Sequence, residues 1–222
     1  IGAIGFSNLG TVLDAGCGFG QWSLALASCN EQVYSCNISN QKVSFVKSMT
    51  TELGLDNVTA SADSLNTLSY PDATFDAIFC YGVSNSLPWR SAFVEFRRVL
   101  APGGKLYFTA NQLGWYVFLW KEEHNKASNY DPRDFAAKAF LNTLRYDREG
   151  LHEPGLNVII DQKDIRIELE RLFFHEIQIS HEGSLHPEKS APAPKSFFQA
   201  EYYGLPGVFE CLCSAPKTDG DQ

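Results

Sequence analysis

The stretch Thr11-Val-Leu-Asp-Ala-Gly-Cys-Gly-Phe-Gly20 decides the fold. It begins as a short apolar run, reaches an acid at Asp14, and then gives up its side chains at Gly16, Gly18 and Gly20. Glycine packs nothing and loses the most backbone freedom on folding. Three at alternate positions therefore mark a bend closed to other residues, or a close approach by something else. A dinucleotide fingerprint needs G-x-G-x-x-G, and here the third glycine falls at the wrong spacing. A phosphate-cradling loop needs Gly-Lys followed by Ser or Thr, and this loop has neither. What remains is a strand-end Asp followed by backbone that passes against a bulky ligand without phosphate. A tight structural turn is the plainer alternative.

The chain on either side repeats a rhythm. Strands are expected at 11–14, 32–38, 57–62, 75–80 and 105–110, with amphipathic helices at 21–28, 41–53 and 91–100 between them. Ser39-Asn40 reads as the cap of the second helix, Gly54 as its stop, and Pro102-Gly103-Gly104 as the turn before the fifth strand. From 111 to 160 the alternation breaks into two helices, the second starting at Asp131-Pro132 and ending at Gly150. A helix over 161–174, a strand at 175–180, a long loop over 182–206 and a last strand at 208–214 complete the pattern. The expectation is a single α/β domain over 1–216, Rossmann-like and doubly wound. Its mostly parallel seven-stranded sheet has an antiparallel C-terminal strand and a helical insertion, or lid, at 111–160 after the fifth strand. Residues 217–222 read as a polar tail.

Bulk properties narrow the function. The chain has 222 residues and a formal net charge of −8, which argues against a nucleic-acid partner because such proteins carry a basic footprint. Six cysteines, none in a C-x-x-C pair, read as reduced thiols with no metal site. No apolar stretch is long enough to span a bilayer and no leader is visible, so a cytoplasmic protein is expected, with membrane contact disfavoured. The chain begins at Ile1 rather than Met, and a preceding segment is expected to be missing.

VLDAGCGFG, together with FDAIFC followed by FRRVLAPGGKLYFTA, resembles the class I S-adenosylmethionine-dependent methyltransferases, over Thr11 to about Ala110. The resemblance implies S-adenosyl-L-methionine as cofactor. It implies Asp14 near the methionine ammonium, Gly16 and Gly18 where backbone meets the ribose and methionyl chain, and Asp63 on the adenine amine. The family usually ends its second strand in an acid that grips the ribose hydroxyls, and the equivalent position here is Asn37. An amide still accepts one hydrogen bond and donates another, at a cost of roughly 1–2 kcal/mol in cofactor affinity.

Methyl transfer needs an aligned nucleophile and, for a hydroxyl or amine, a proton acceptor. Tyr81 and Asn85, just beyond the fourth strand, are the expected active-site lining. His124 and His152, in or beside the extra helices, are the candidate bases. Trp115 to Trp120, and Phe197 to Tyr203 in the long loop, suggest an aromatic pocket capped from two sides. The sequence therefore reads as a methyltransferase acting on an oxygen or nitrogen of a small, partly apolar metabolite. The rival is a non-catalytic module of the same fold that binds a protein partner, for which Asn37 is the best evidence.

Overall fold

A computed structural model describes residues 1–217, so all but the first residue of the expected polar tail lie outside the described residues. The apolar run before the glycines is β1 (Thr11–Ala15), and four of its five residues are buried. Neighbouring strands flank it on both sides, and helices cover both faces of the sheet, which is why it needs no polar alternation. β2 (Gln32–Asn37), β3 (Val58–Ala62), β4 (Phe75–Cys80) and β5 (Leu100–Asn111) all run parallel to it. β6 (His175–His181) and β9 (Val208–Ser214) follow an excursion of the chain. β7 (Glu201–Tyr202) and β8 (Leu205–Pro206) form a small hairpin inside the loop that was expected to be irregular.

The sheet order is β3-β2-β1-β4-β5-β9-β6, with β9 antiparallel to both of its neighbours. The chain winds outward from β1 to β3, then restarts at β4 on the other side of β1. That reversal leaves a crevice at the strands' carboxyl ends, where ligands bind in open sheets of this kind.

Among the described residues the α-helices are α1 (Gln21–Ala27), α2 (Asn40–Glu52), α3 (Trp89–Val99), α4 (Leu113–Glu122), α5 (Pro132–Glu149) and α6 (Gln162–Arg171), of which α4 and α5 pack on each other. The stop and start signals hold. Ser39 Oγ accepts from Lys42 N at the start of α2. Asp131 caps α5 with Pro132 behind it, and Gly150 closes it at φ 70°. One face of the sheet packs Phe93 and Phe96 of α3 and Ile165 and Leu169 of α6 against Leu13, Ile78, Leu106 and Phe108. The other packs Leu26 of α1 and Phe6 against Val12, Val33, Phe79 and Tyr107.

Two expectations change. Pro102-Gly103-Gly104 does not separate α3 from β5: Phe75 pairs with Leu100 and Ala77 with Lys105, so 101–104 bulge out of β5 opposite Asp76. The helical insertion is present as α4 and α5, but its aromatic residues face elsewhere than expected. α4 lies against the β7–β8 hairpin, so close that a Cβ on Gly114 would fall 2.3 Å from the Leu205 carbonyl oxygen. The two aromatic clusters expected to cap one pocket pack on each other instead, Trp115 on Phe198 at 5.2 Å and Phe118 on Tyr202 at 4.6 Å between ring centroids.

Candidate active site

Just past β1 the chain turns through Gly16 at φ 81° and Gly18 at φ 56°. These two glycines serve different ends. A Cβ on Gly16 would sit 2.6 Å from Val83 Cγ2, so this glycine lets the loop after β4 close in. A Cβ on Gly18 would meet nothing within 4 Å, because Gly18 faces open space. That space is a cleft of about 720 Å³ over the carboxyl ends of β1 to β4, lined by Gly16, Gly18, Asn37, Asp63, Tyr81 and His152 among others. Its volume lies within the range of small-molecule and cofactor sites.

At the end of β2, Asn37 Oδ1 accepts from Ser39 N at 3.0 Å. The carbonyl end of the amide is thus used on the chain. Beyond β3, Asp63 Oδ1 accepts from Ser64 N, while Oδ2 accepts from Ser69 N and Oγ at 2.9 and 2.7 Å. These bonds fix the carboxylate at the rim and leave part of its accepting capacity open. Lys42 is the one Lys or Arg in the lining. A cleft with one lysine and a side-chain-free glycine backbone fits a nucleoside that carries no phosphate.

Asp14 does not reach the cleft. It is 2% exposed, and its Oδ2 accepts from Ser23 Oγ at 2.6 Å, which in turn accepts from Ser35 Oγ at 2.8 Å. The triad ties β1, the first turn of α1 and β2 together beneath the glycine loop. Burial without a cationic partner pushes the Asp14 carboxyl up to about 7, against the Ser23 bonds that lower it.

The expected acceptor-side residues divide. Tyr81 lines the cleft, with its ring 5.0 Å from Trp22, but its hydroxyl turns away to donate to Glu182 Oε1 at 2.8 Å. His152 also lines the cleft, and its Nε2 is buried without a hydrogen-bond partner. Burial holds its pKa below the usual imidazole value, more than the Leu156 backbone raises it, so the ring is neutral at pH 7. Asn85 is a structural clamp: its Nδ2 donates to the Asn111 and Val158 carbonyls at 2.9 and 2.7 Å, and its Oδ1 accepts from Asn111 N at 2.6 Å. His124 stands outside the cleft, against Trp115 and Phe118.

Sequence reasoning missed Glu182 and Glu210, which are 3% and 2% exposed. Glu210 left a visible trace, a single acid inside the apolar run VFECLCS. Glu182 left none. Among the described residues, no three His, Cys, Asp or Glu side chains come together as a metal site, and no helix is long and apolar enough to cross a membrane.

Residues 13–108 match the family described as methyltransferase domain. A demethylmenaquinone methyltransferase of Anoxybacillus flavithermus is 31% identical over 98 residues, covering 42% of this chain and 41% of that protein. A 2-methyl-6-phytyl-1,4-hydroquinone methyltransferase of Synechocystis sp. is 38% identical over 100 residues, 43% of this chain and 30% of that protein. The chain thus spans less than half the length of these curated relatives. The crystal structure of YcgJ from Bacillus subtilis shares the fold, with a TM-score of 0.60 at 16% identity over 96% of this chain and 94% of that one. The match begins inside the glycine-loop motif and ends in β5, the part of the fold that builds the cleft. On that ground residues 13–108 carry a methyltransferase domain of the class I kind, for which the cofactor is S-adenosyl-L-methionine.

Proposed function

We propose that this chain transfers a methyl group to an oxygen or nitrogen of a small, partly apolar acceptor. The observation that carries this reading is the cleft itself, which brings together side-chain-free backbone at Gly18, the ring of Tyr81 and the neutral His152. The printed names of the two curated relatives give them demethylmenaquinone and a phytyl hydroquinone, small acceptors with apolar parts. The cofactor, when bound, supplies an electrophilic methyl on a sulfonium. The chain supplies the rest. Gly16 and Gly18 offer backbone at close range, and Asn37 Nδ2 donates to the ribose. Asp63 accepts from the adenine amine. His152, neutral and with a free Nε2, takes the acceptor's proton.

Calorimetric titration with S-adenosylmethionine and S-adenosylhomocysteine tests this, with Gly18→Asn as control. Asn tolerates a left-handed backbone, so the fold survives while a side chain enters the open space. Micromolar binding, lost in Gly18→Asn, is the expected result. If the folded chain binds neither ligand, the reading fails. Asn37, lacking the family's usual carboxylate, would then favour the second reading, a non-catalytic module that binds a protein partner.

A further inference from the structure

Behind Tyr81 and Trp22, which line both spaces, a smaller chamber of about 80 Å³ opens between the sheet and the strap that follows β6. Its walls include the rings of Phe79, Tyr107 and Phe197. Two carboxylates, Glu182 and Glu210, also face it. None of the ion pairs among the described residues involves either acid; two cationic groups stand at the chamber, Lys195, exposed on the strap, and the Ile1 amino group, whose charged form Glu210 favours. Each acid is held by three hydrogen bonds. Glu182 accepts from Tyr81 Oη, Phe197 N and Phe198 N. Glu210 accepts from Tyr107 Oη, Ser184 N and Leu185 N. A carboxylate has about four accepting positions, so each has one in reserve.

We propose that this chamber receives the reacting end of the methyl acceptor, and that Glu182 and Glu210 select an amine over a phenol there. The proposal rests on the methyltransferase reading and names the acceptor class for it. Aromatic faces attract a cation, and reserve carboxylate positions accept from an ammonium. The same pair opposes a phenolate. Burial first, and the two acids next, already push the phenols of Tyr81 and Tyr107 far above their ordinary range. An acceptor phenol beside them would resist ionisation in the same way. For an amine the charge balance is favourable. One proton leaves the bound ammonium toward the cleft, where His152, which lines the cleft and not the chamber, takes it up. The nitrogen lone pair then forms the new C–N bond while the C–S pair returns to sulfur. The positive charge that sulfur held ends on nitrogen, facing the carboxylates.

Benzylamine and benzyl alcohol, equal in shape and different in charge, are the probes. Each is titrated into the protein with and without saturating S-adenosylhomocysteine. The expected result is at least tenfold tighter binding of the amine. In Glu182→Gln and in Glu210→Gln that preference falls below threefold, while affinity for S-adenosylhomocysteine is unchanged. Equal binding of the two probes to the wild-type chain, tighter binding of the alcohol, or binding of neither overturns the proposal without need of a variant. A preference that survives both substitutions also overturns it. Failure to bind S-adenosylhomocysteine sinks the methyltransferase reading separately, and an amine preference seen in its absence upholds the selective chamber.

Discussion

The two sides of the cleft are built by opposite means. On the β1–β3 side the walls are backbone and rim: Gly16 and Gly18 withdraw their side chains, and Asn37 and Asp63 stand at strand ends held by their own next few residues. On the β4–β6 side the walls are held by buried polar side chains reaching across the chain. Tyr81 bonds a residue 101 positions away and Tyr107 one 103 away. Local chemistry makes the first side nearly independent of what surrounds it. The second side exists only when distant segments have docked, so its geometry is free to differ among proteins that share the first. The family match, which stops at residue 108, follows that division.

The comparison breaks most visibly at Asn85. Its amide satisfies both backbone groups of Asn111 and the carbonyl of Val158, and thereby fastens the segment after α5 to β5. Asn85→Ala takes the side-chain partner from Asn111 N and the Val158 carbonyl and leaves the Asn111 carbonyl only the long bond from Ile160 N, and a loss of about 3–4 kcal/mol in urea-induced unfolding is expected. A loss under 1 kcal/mol would mean that water replaces the clamp and that this side is not held as described.

Asp14 gives the next largest effect, on the other side and with pH as the lever. Its carboxyl sits at about 7 when folded against a usual value of 3.8. The folded chain therefore binds more protons than the unfolded chain between those values. The stability this group contributes is complete below about pH 4 and is lost as pH rises through 7. Asp14→Asn keeps an acceptor for Ser23 and removes the titration. Relative to wild type, the variant should gain about 2–3 kcal/mol between pH 5 and pH 8. A constant difference across that range would show that a cation reaches Asp14 in solution.

These two residues also show what the sequence could and could not reveal. Strand and helix positions, the glycine loop, the caps at Ser39 and Asp131 and the stop at Gly150 depend on neighbours within four residues, and all were legible. Asp14 was read as a residue facing the methionine ammonium, and its actual partners, Ser23 and Ser35, are placed by the packing of α1 and β2, which no local pattern shows. Asn85 bonds residues 26 and 73 positions away, and no local pattern announces that. The aromatic clusters at 115–120 and 197–203 were visible as composition. Which way they face was decided by Gly114, which lets α4 approach the hairpin.

Asn37 sharpens the comparison from the opposite direction, because on a side built from local chemistry one side chain can be exchanged without disturbing the rest. In Asn37→Asp the carboxylate still accepts from Ser39 N and offers charge-assisted bonds to both ribose hydroxyls. Affinity for S-adenosylhomocysteine should rise about tenfold by calorimetry, or ~1.4 kcal/mol. Unchanged affinity would place the ribose away from the end of β2.

The smallest effect is expected at His124, and its smallness is the point. His124 and His152 are the same residue type in the same insertion, but only His152 lines the cleft. His124 is exposed, with its ring 5.2 Å from Phe118 and 6.0 Å from Trp115. Its loss should cost less than ~1 kcal/mol of stability, as for most surface positions. In His124→Ala the affinity for S-adenosylhomocysteine should stay within threefold of wild type. In His152→Ala binding also persists, while methyl transfer to an amine acceptor falls at neutral pH and recovers as rising pH deprotonates the amine in solution. That recovery separates a proton acceptor from a packing residue, since a ring that merely fills space gives a loss independent of pH. A marked drop in cofactor affinity on losing His124 would mean that α4 swings from the hairpin to the cleft when ligand binds, and that the insertion acts as a lid.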